Sequence, residues 1–423
     1  MDYKIFGCKV NKYYTDKWLN SEKLKGKNGI FIASCVVTDN AKRKWIKFVK
    51  DTAKNIKKEE TIFISGCGAF KNGKAQNNFF ELYPDLEYLK EKIIILNEDP
   101  ELNNNNNNNN RKNISNKLNN IPQIYTKKFI LIQGGCDSFC TFCLTVKKRG
   151  RHFSRTKEDI LDEILIFEKN GGKEVVLTGI NLSAWGLDTT NDIGKSKFAE
   201  LINYLLKNTK IPRIRISSMG PEFITNEVLK LFENPRIYPH FHYSVQSGSS
   251  NILKSMSRHY DGKYIKDLLL KTRQIKRKDN VKVSIGADII VGFPGETEDD
   301  FKDTLNLIKD CNITKVHAFP FSGHELGEDV PAGKFPGQVD GKIKKDRMWE
   351  IMNLSDQIRD KFIEENIGKT LEVLIESVKT DEKTGKIKWK GWTQNYIEAD
   401  QSNFEIISGE IKRNKIIIGK LTK

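Results

Sequence analysis

Three cysteines within one short loop constrain this chain more than any other feature. Cys136, Cys140 and Cys143 stand in Gly134-Gly135-Cys136-Asp137-Ser138-Phe139-Cys140-Thr141-Phe142-Cys143, a C-x3-C-x2-C spacing with an aromatic before the last cysteine. Three soft thiolates so close together can hold three corners of a four-iron cluster. The fourth iron has no local cysteine and is left for a small molecule, as reductive cleavage of S-adenosylmethionine requires. A zinc knuckle or three buried thiols is the competing reading. Structural zinc normally takes four protein ligands, and no fourth cysteine or suitably spaced histidine lies nearby.

A second set of cysteines is written into the first hundred residues. Tyr3 to Gly7 ends at Cys8, Gly29 to Ser34 runs into Cys35, and Thr61 to Gly66 runs into Cys67. The intervals (8 to 35, 35 to 67) are 27 and 32 residues, close to one βαβ unit. Successive parallel strands would deliver these cysteines to one carboxyl edge, where open α/β sheets bind ligands. Three unrelated core thiols is the bland alternative. Cys311 fits neither set and reads as structural.

Asn103 to Asn110 is an uninterrupted asparagine run that cannot bury apolar surface and reads as linker. Beyond it strand and helix alternate again. The strands are Phe129–Gln133, Glu174–Thr178, Arg213–Ser217, His240–Val245, Val281–Ile290 and Lys315–Phe319, with helices such as Glu158–Lys169 and Glu298–Lys309 between them. Six units predict an incomplete (β/α)6 barrel with its site at the carboxyl ends of the strands. After a charged helix over 342–365 come short strands, Leu371–Ile375, Lys386–Trp389, Asn395–Ala399 and Lys415–Ile418, which fit a small β-barrel. The expected fold class is therefore α/β. An N-terminal open parallel α/β domain covers 1–102, a linker 103–122, a partial barrel 123–365 and a small β-barrel 366–423.

The net charge of +16 favours a polyanionic partner, most simply nucleic acid. Lys147, Lys148, Arg149, Arg151, Arg155 and Lys157 follow the cysteine loop without an acid until Glu158, so phosphate contact is expected at Arg149, Arg151 and Arg155. Trp392 and Tyr396, in an expected turn of the last region, are candidates for stacking on bases. From Leu371 onward Lys+Arg number 10 against 8 Asp+Glu, so charge alone makes no case there. The sequence contains no run of about 18 apolar residues, and its first residues lack the charged and apolar regions of a signal peptide. Together with an odd cysteine count of 7, this predicts a reduced cytoplasmic protein with no membrane partner.

These motifs, in this order, resemble the radical S-adenosylmethionine methylthiotransferases over nearly the whole chain. Gly7-Cys8-Lys9-Val10-Asn11 and Ala33-Ser34-Cys35-Val36-Val37-Thr38-Asp39-Asn40-Ala41 are similar to the MtaB branch. That branch adds a methylthio group to C2 of N6-threonylcarbamoyladenosine at position 37 of tRNA. The resemblance implies a radical domain over the barrel and a TRAM-like RNA-binding β-barrel at the end. It implies two [4Fe-4S] clusters, one on Cys136, Cys140 and Cys143 binding S-adenosylmethionine, the other on Cys8, Cys35 and Cys67 carrying the sulfur. S-adenosylmethionine contacts are implied at Gly171, Gly172 and Glu174, at Gln246 and Arg258, and at Asp288 and Gly292. The implied partners are a tRNA anticodon loop and a flavodoxin- or ferredoxin-like electron donor. Leu144–Lys148 and Ser218–Glu222 depart from common family patterns. Sister branches act on N6-isopentenyladenosine of tRNA or on a ribosomal-protein aspartate. A non-catalytic iron–sulfur RNA-binding protein is the rival from another class, disfavoured because purely structural clusters are normally fully ligated.

Overall fold

The computed structural model of the chain describes residues 1–102, 126–187, 196–324, 328–380, 385 and 387–423. The asparagine run and the linker expected over 103–122 lie outside the described residues. β1 (Asp2–Ile5), α1 (Lys9–Leu19), β2 (Gly29–Ser34), α2 (Asp39–Asn55), β3 (Thr61–Gly66) and β4 (Ile93–Ile95) form a parallel sheet in the order β1-β2-β3-β4. Its central strands are apolar on both faces because helices cover both. Ile32, Ile62 and Ile64 pack on Trp45 and Val49 of α2, while Phe31, Ala33 and Phe63 pack with Trp18 of α1. The first strand stops short of the expected Gly7, which turns the chain at φ +96°. The short strand β4 was not foreseen.

β5 (Lys128–Leu131), α3 (Thr145–Arg149), α4 (Lys157–Lys169), β6 (Glu174–Thr178), α5 (Phe198–Asn208) and β7 (Arg213–Ile216) come next. β8 (His240–Gln246), α6 (Gly262–Arg273), β9 (Ser284–Val291), α7 (Glu298–Asp310), β10 (Lys315–Pro320) and α8 (Gly341–Glu364) complete this region. β5, β6 and β7 form one parallel ladder. Ser218–Met219, continuing straight from β7, opens a second ladder with β8, β9 and β10. The chain thus lays six parallel units side by side in sequence order, as the spacing predicts.

Period-two alternation splits these strands between two environments. Ile130, Val175, Leu177, Ile214, Phe241, Tyr243, Ile285, Ala287 and Val316 join the large core under the outer helices. Their neighbours face the concave side. There Phe129, Leu131 and Val176 meet Val10, Tyr13 and Tyr14 of α1, so a helix of the N-terminal sheet lies in the mouth of the half-barrel. Lys128 and Asp16 close the seam at 2.5 Å.

β11 (Thr370–Thr380), β12 (Ile387–Thr393), β13 (Glu398–Asp400), β14 (Phe404–Ser408) and β15 (Ile416–Leu421) form a curled antiparallel sheet in the order β13-β12-β11-β15-β14. Register shifts at Ile375/Ser377 and Ile406/Ser408 bend it. Trp392 is in strand β12 rather than the expected turn, and Tyr396 sits in the turn at φ +70°. Among the described residues no helix is long and apolar enough to cross a membrane.

Candidate iron–sulfur centres and the cleft between them

The cysteine loop leaves the carboxyl end of β5 through the short pair Gln133–Gly134 with Phe153–Ser154. Gly135 is required here: at φ +63°, an added Cβ would lie 1.8 Å from the Arg151 carbonyl oxygen. Cys143 N–H donates to Cys140 O at 3.1 Å, and Cys136 N–H to Gly150 O at 3.1 Å. The backbone N–H groups of Ser138 and Thr145 each lie 3.4 Å from the sulfurs of Cys136 and Cys143. Arg258 Nη1 donates to Cys140 Sγ at 3.2 Å. Burial pushes the Cys143 thiol up to about 12 and the Cys136 thiol upward. Iron must therefore displace protons on binding. Three soft donors in one short loop, each with an N–H near its sulfur, fit a [4Fe-4S] cluster.

The other three cysteines follow the ends of β1, β2 and β3, on one edge of one sheet. Cys35 is pushed up to about 12 by burial first, with Cys67 and Cys8 adding to it. A Cβ on Gly7 would lie 2.9 Å from Cys35 Sγ, so only glycine lets the first loop pass. Burial also raises the Cys67 thiol, while a hydrogen bond and the charge of Arg149 oppose the rise. This donor set has the same soft character and the same count.

The two cysteine sites meet across one seam. Val36, beside Cys35, and Leu144, beside Cys143, share a buried cluster with Ile252, Met256, Phe293 and Phe321, against which Cys67 and Phe142 pack. Residues just past Cys67 dock on α3: Asn72 N–H reaches Lys147 O at 3.0 Å and Gly73 N–H reaches Lys148 O at 2.8 Å. Lys148 pairs with Glu328 at 2.5 Å.

Deeper on the concave side the lining is polar. His242 Nε2 lies 2.9 Å and His317 Nδ1 3.9 Å from Asp288 Oδ1. Lys9, from the start of α1, reaches the same layer; burial and the nearby Arg215 lower it to about 8, against the pull of Asp288. His242, Asp288 and His317 hold ligand-type atoms within 4.8 Å of one another. With Lys9 and Arg215 alongside, their charges favour a hydrogen-bonded set over a divalent cation.

The expected site residues divide by position. Arg258 touches Cys140, and also reaches Tyr260, Glu222 and Ser244 O. Gln246 ends β8, and Gly292 follows β9 with its N–H 2.7 Å from Glu296 Oε2. Asp288 is set deeper, three residues before the end of β9, roughly 10 Å of strand. Gly171, Gly172 and Glu174 lie at the opposite, amino-terminal end of the half-barrel. Val175 pairs with Lys128 at the start of β5, and Glu174 is paired to Arg213 and Arg215. The stretch expected to contact S-adenosylmethionine thus stands at the other end of the strand from the cysteine loop.

The basic segment divides between buried and exposed positions. Arg149 is 5% exposed and paired with Glu98. Arg155 donates to Leu131 O at 2.7 Å and Glu163 at 2.9 Å. Both guanidinium groups are enclosed by protein, whereas Arg151 is exposed, over the Phe139 ring at 5.0 Å. Trp392 and Tyr396 stack on each other at 4.7 Å, and Tyr396 stacks on His240 at 4.3 Å. Tyr396 is thus stacked between Trp392 and His240 at the amino-terminal end of β8, and both aromatics are half-buried. Sequence reasoning missed Gln133, whose Oε1 accepts from Ile180 N at 2.9 Å and Asn181 N at 2.8 Å. It also missed Asn11, Glu98 and Glu222. Gln133 directly precedes the cysteine loop, and Ile180 and Asn181 follow β6 at its carboxyl end; that position was the available signal.

The radical SAM superfamily profile matches residues 130–308. A threonylcarbamoyladenosine tRNA methylthiotransferase MtaB from Rickettsia prowazekii is 31% identical over 385 residues, covering 88% of this chain and 86% of its own. The protein of the same name from Thermotoga maritima is 32% identical, with 88% and 86% covered. A tRNA-2-methylthio-N(6)-dimethylallyladenosine synthase from Clostridium botulinum is 30% identical, with 91% and 89% covered. The profile falls on the half-barrel that bears the C-x3-C-x2-C loop, and the relatives extend beyond it over most of the chain. An enzyme built around a [4Fe-4S] cluster and S-adenosylmethionine is what these likenesses and the thiol geometry have in common, and the chain belongs to the radical S-adenosylmethionine methylthiotransferase family.

Proposed function

We propose that this enzyme adds a methylthio group to C2 of N6-threonylcarbamoyladenosine at position 37 of tRNA. A cluster on Cys136, Cys140 and Cys143, with S-adenosylmethionine, would supply the radical chemistry that an unactivated aromatic C–H demands. Cys8, Cys35 and Cys67 would hold a second cluster, which presents the sulfur. The observation that carries this reading is the seam itself: Val36 and Leu144, next to a cysteine of either set, share one apolar cluster.

The remaining residues take roles from their positions. Arg258, with its N–H on Cys140 and its partner Glu222, steadies the charge of the cysteine loop. The Gln133 side chain orders the backbone at Ile180 and Asn181, on the carboxyl side of β6. That backbone, in place of Gly171–Glu174, is the proposed contact for the S-adenosylmethionine amino acid moiety. Lys9, His242, Asp288 and His317 make a polar floor for the substrate base. Exposed Arg151 and Lys147 would meet anticodon-loop phosphates. The curled C-terminal sheet, with Lys412, Lys415 and Lys420 exposed, would act in the TRAM-like manner on more distant RNA. A flavodoxin- or ferredoxin-like donor would supply electrons.

The threonylcarbamoyl substrate is supported by the two relatives so named. The dimethylallyladenosine synthase at 30% identity supports the sister substrate as a second reading. Mass spectrometry of tRNA nucleosides from a strain lacking this gene, before and after its restoration, separates them. Return of 2-methylthio-N6-threonylcarbamoyladenosine is expected. Return of the isopentenyl analogue instead moves the enzyme to the sister branch, and no change in any nucleoside removes tRNA as substrate.

A further inference from the structure

Arg149 was expected on the surface, yet its guanidinium is buried where the N-terminal sheet and the half-barrel meet. One nitrogen pairs with Glu98, itself 6% exposed. The other donates to Asn11 Oδ1 at 2.7 Å. Asn11 in turn uses its amide N–H groups on Phe6 O at 2.7 Å and Ser34 O at 2.9 Å. Phe6 lies two residues before Cys8, and Ser34 immediately precedes Cys35. The chain just past Cys67 is held by the helix that carries Arg149, Asn72 N–H on Lys147 O at 3.0 Å and Gly73 N–H on Lys148 O at 2.8 Å. Arg149 with Asn11, and the backbone of the helix that bears the arginine, therefore fasten all three cysteine-bearing strand ends. The arginine arrives on α3, six residues past Cys143.

Charge completes the picture. The buried guanidinium of Arg149 stands at the cysteine-bearing edge of the sheet, with Glu98 as its counter-charge. Cluster potentials respond to net charge and to hydrogen bonds on the sulfurs, and a low dielectric strengthens both. Reduction adds a negative charge, which a buried cation favours.

We infer that Arg149 is a positioning residue for the Cys8/Cys35/Cys67 cluster: it holds the three cysteine loops in register and raises the reduction potential of the group they bind. This rests on the reading of those cysteines as a cluster site. It replaces phosphate contact as the work of this arginine, and it makes the radical half of the chain a structural part of the N-terminal site.

The test uses the full-length chain with Cys136, Cys140 and Cys143 replaced by alanine, so that only the N-terminal site can hold iron. Anaerobic reconstitution, iron and sulfide analysis, and a potentiometric titration followed by electron paramagnetic resonance give the readouts. If this background, with Arg149 intact, binds no cluster, the cluster reading itself fails. If it binds one, Arg149→Gln is expected to shift the midpoint potential downward and change the resonance, with Arg149→Lys returning it partway. Glu98→Gln, which strips the counter-charge, should shift it upward. Loss of iron in Arg149→Gln with retention in Arg149→Lys also supports the proposal. Should both arginine variants fail to load, the Glu98→Gln shift decides, and an unchanged potential there overturns it. An Arg149→Gln protein with full iron, an unaltered potential and weakened tRNA binding would overturn it in favour of phosphate contact.

Discussion

Glu174 is fully buried at the first residue of β6, with Arg215 at 2.9 Å, Arg213 at 3.2 Å and Lys127 at 3.5 Å. Burial alone would raise its carboxyl, but Lys127, Arg215 and Arg213 outweigh it and hold the group at about 2. A folded-state value depressed below the unfolded one stabilises the protein above the unfolded value. That contribution is lost as pH falls from about 4.5 toward 2. A shift of this size corresponds to roughly 3 kcal/mol. Glu174→Gln, which leaves two buried guanidinium groups without a counter-charge, should cost about 3–5 kcal/mol at neutral pH. It should lower the urea midpoint there and flatten its dependence between pH 5 and 3, and an unchanged midpoint would refute the account. Single residues were the least legible level of this sequence. Gly171-Gly172-Lys173-Glu174 looks like a cofactor motif, but a linear pattern does not say which end of the strand it occupies. Arg149 looks like one of a basic run because its partners are 51 and 138 residues away. The two sets of three cysteines could be picked out because one is compact in a single loop and the other repeats with the strand unit.

Elements were read more securely, since each carries its own signal. α7 begins at a reciprocal cap: Asp300 N–H donates to Thr297 Oγ1 at 3.2 Å and Thr297 N–H donates to Asp300 Oδ2 at 3.0 Å. Asp300 also accepts from the buried Ser249 hydroxyl at 2.5 Å, tying α7 to the turn after β8. Thr297→Ala should cost about 1 kcal/mol by removing one half of the cap, and Asp300→Ala more, because Ser249 is stranded as well. Chemical denaturation of both variants measures the order, and equal losses would mean that the Ser249 bond contributes nothing. The strands of the half-barrel were visible through their apolar runs, whereas β9 starts at Ser284 rather than Val281. The C-terminal strands were misread at their edges. Trp392 looked like a turn residue beside Gln394 and Asn395, but the ladder of β12 with β11 carries it to Thr393. The stacking of Tyr396 on His240 joins positions 156 residues apart, which no local pattern reveals.

At the scale of the molecule, two cysteine sites on separate sheets make their functions separable by substitution. Cys140→Ala should abolish formation of 5′-deoxyadenosine while iron on the N-terminal cysteines remains. Cys35→Ala should leave 5′-deoxyadenosine formation in place and stop methylthio transfer. A Cys35 variant that still yields product removes the sulfur-presenting role. Affinity for tRNA should fall steeply with salt through counterion release, and Arg151→Ala should reduce the slope by about one unit; a salt-independent affinity contradicts the RNA reading. The order of the sheets was legible in the strand spacing, but the way they lock together was not. Val10, Tyr13 and Tyr14 of α1 fill the concave wall at Phe129, Leu131 and Val176, so the first twenty residues complete a surface made more than a hundred residues later. The consequence is one of inheritance: neither half is a cassette. A recombination that swapped the N-terminal sheet for that of a distant relative would bare the wall or wedge it open. A change of size on one side of this joint therefore calls for a matching change on the other.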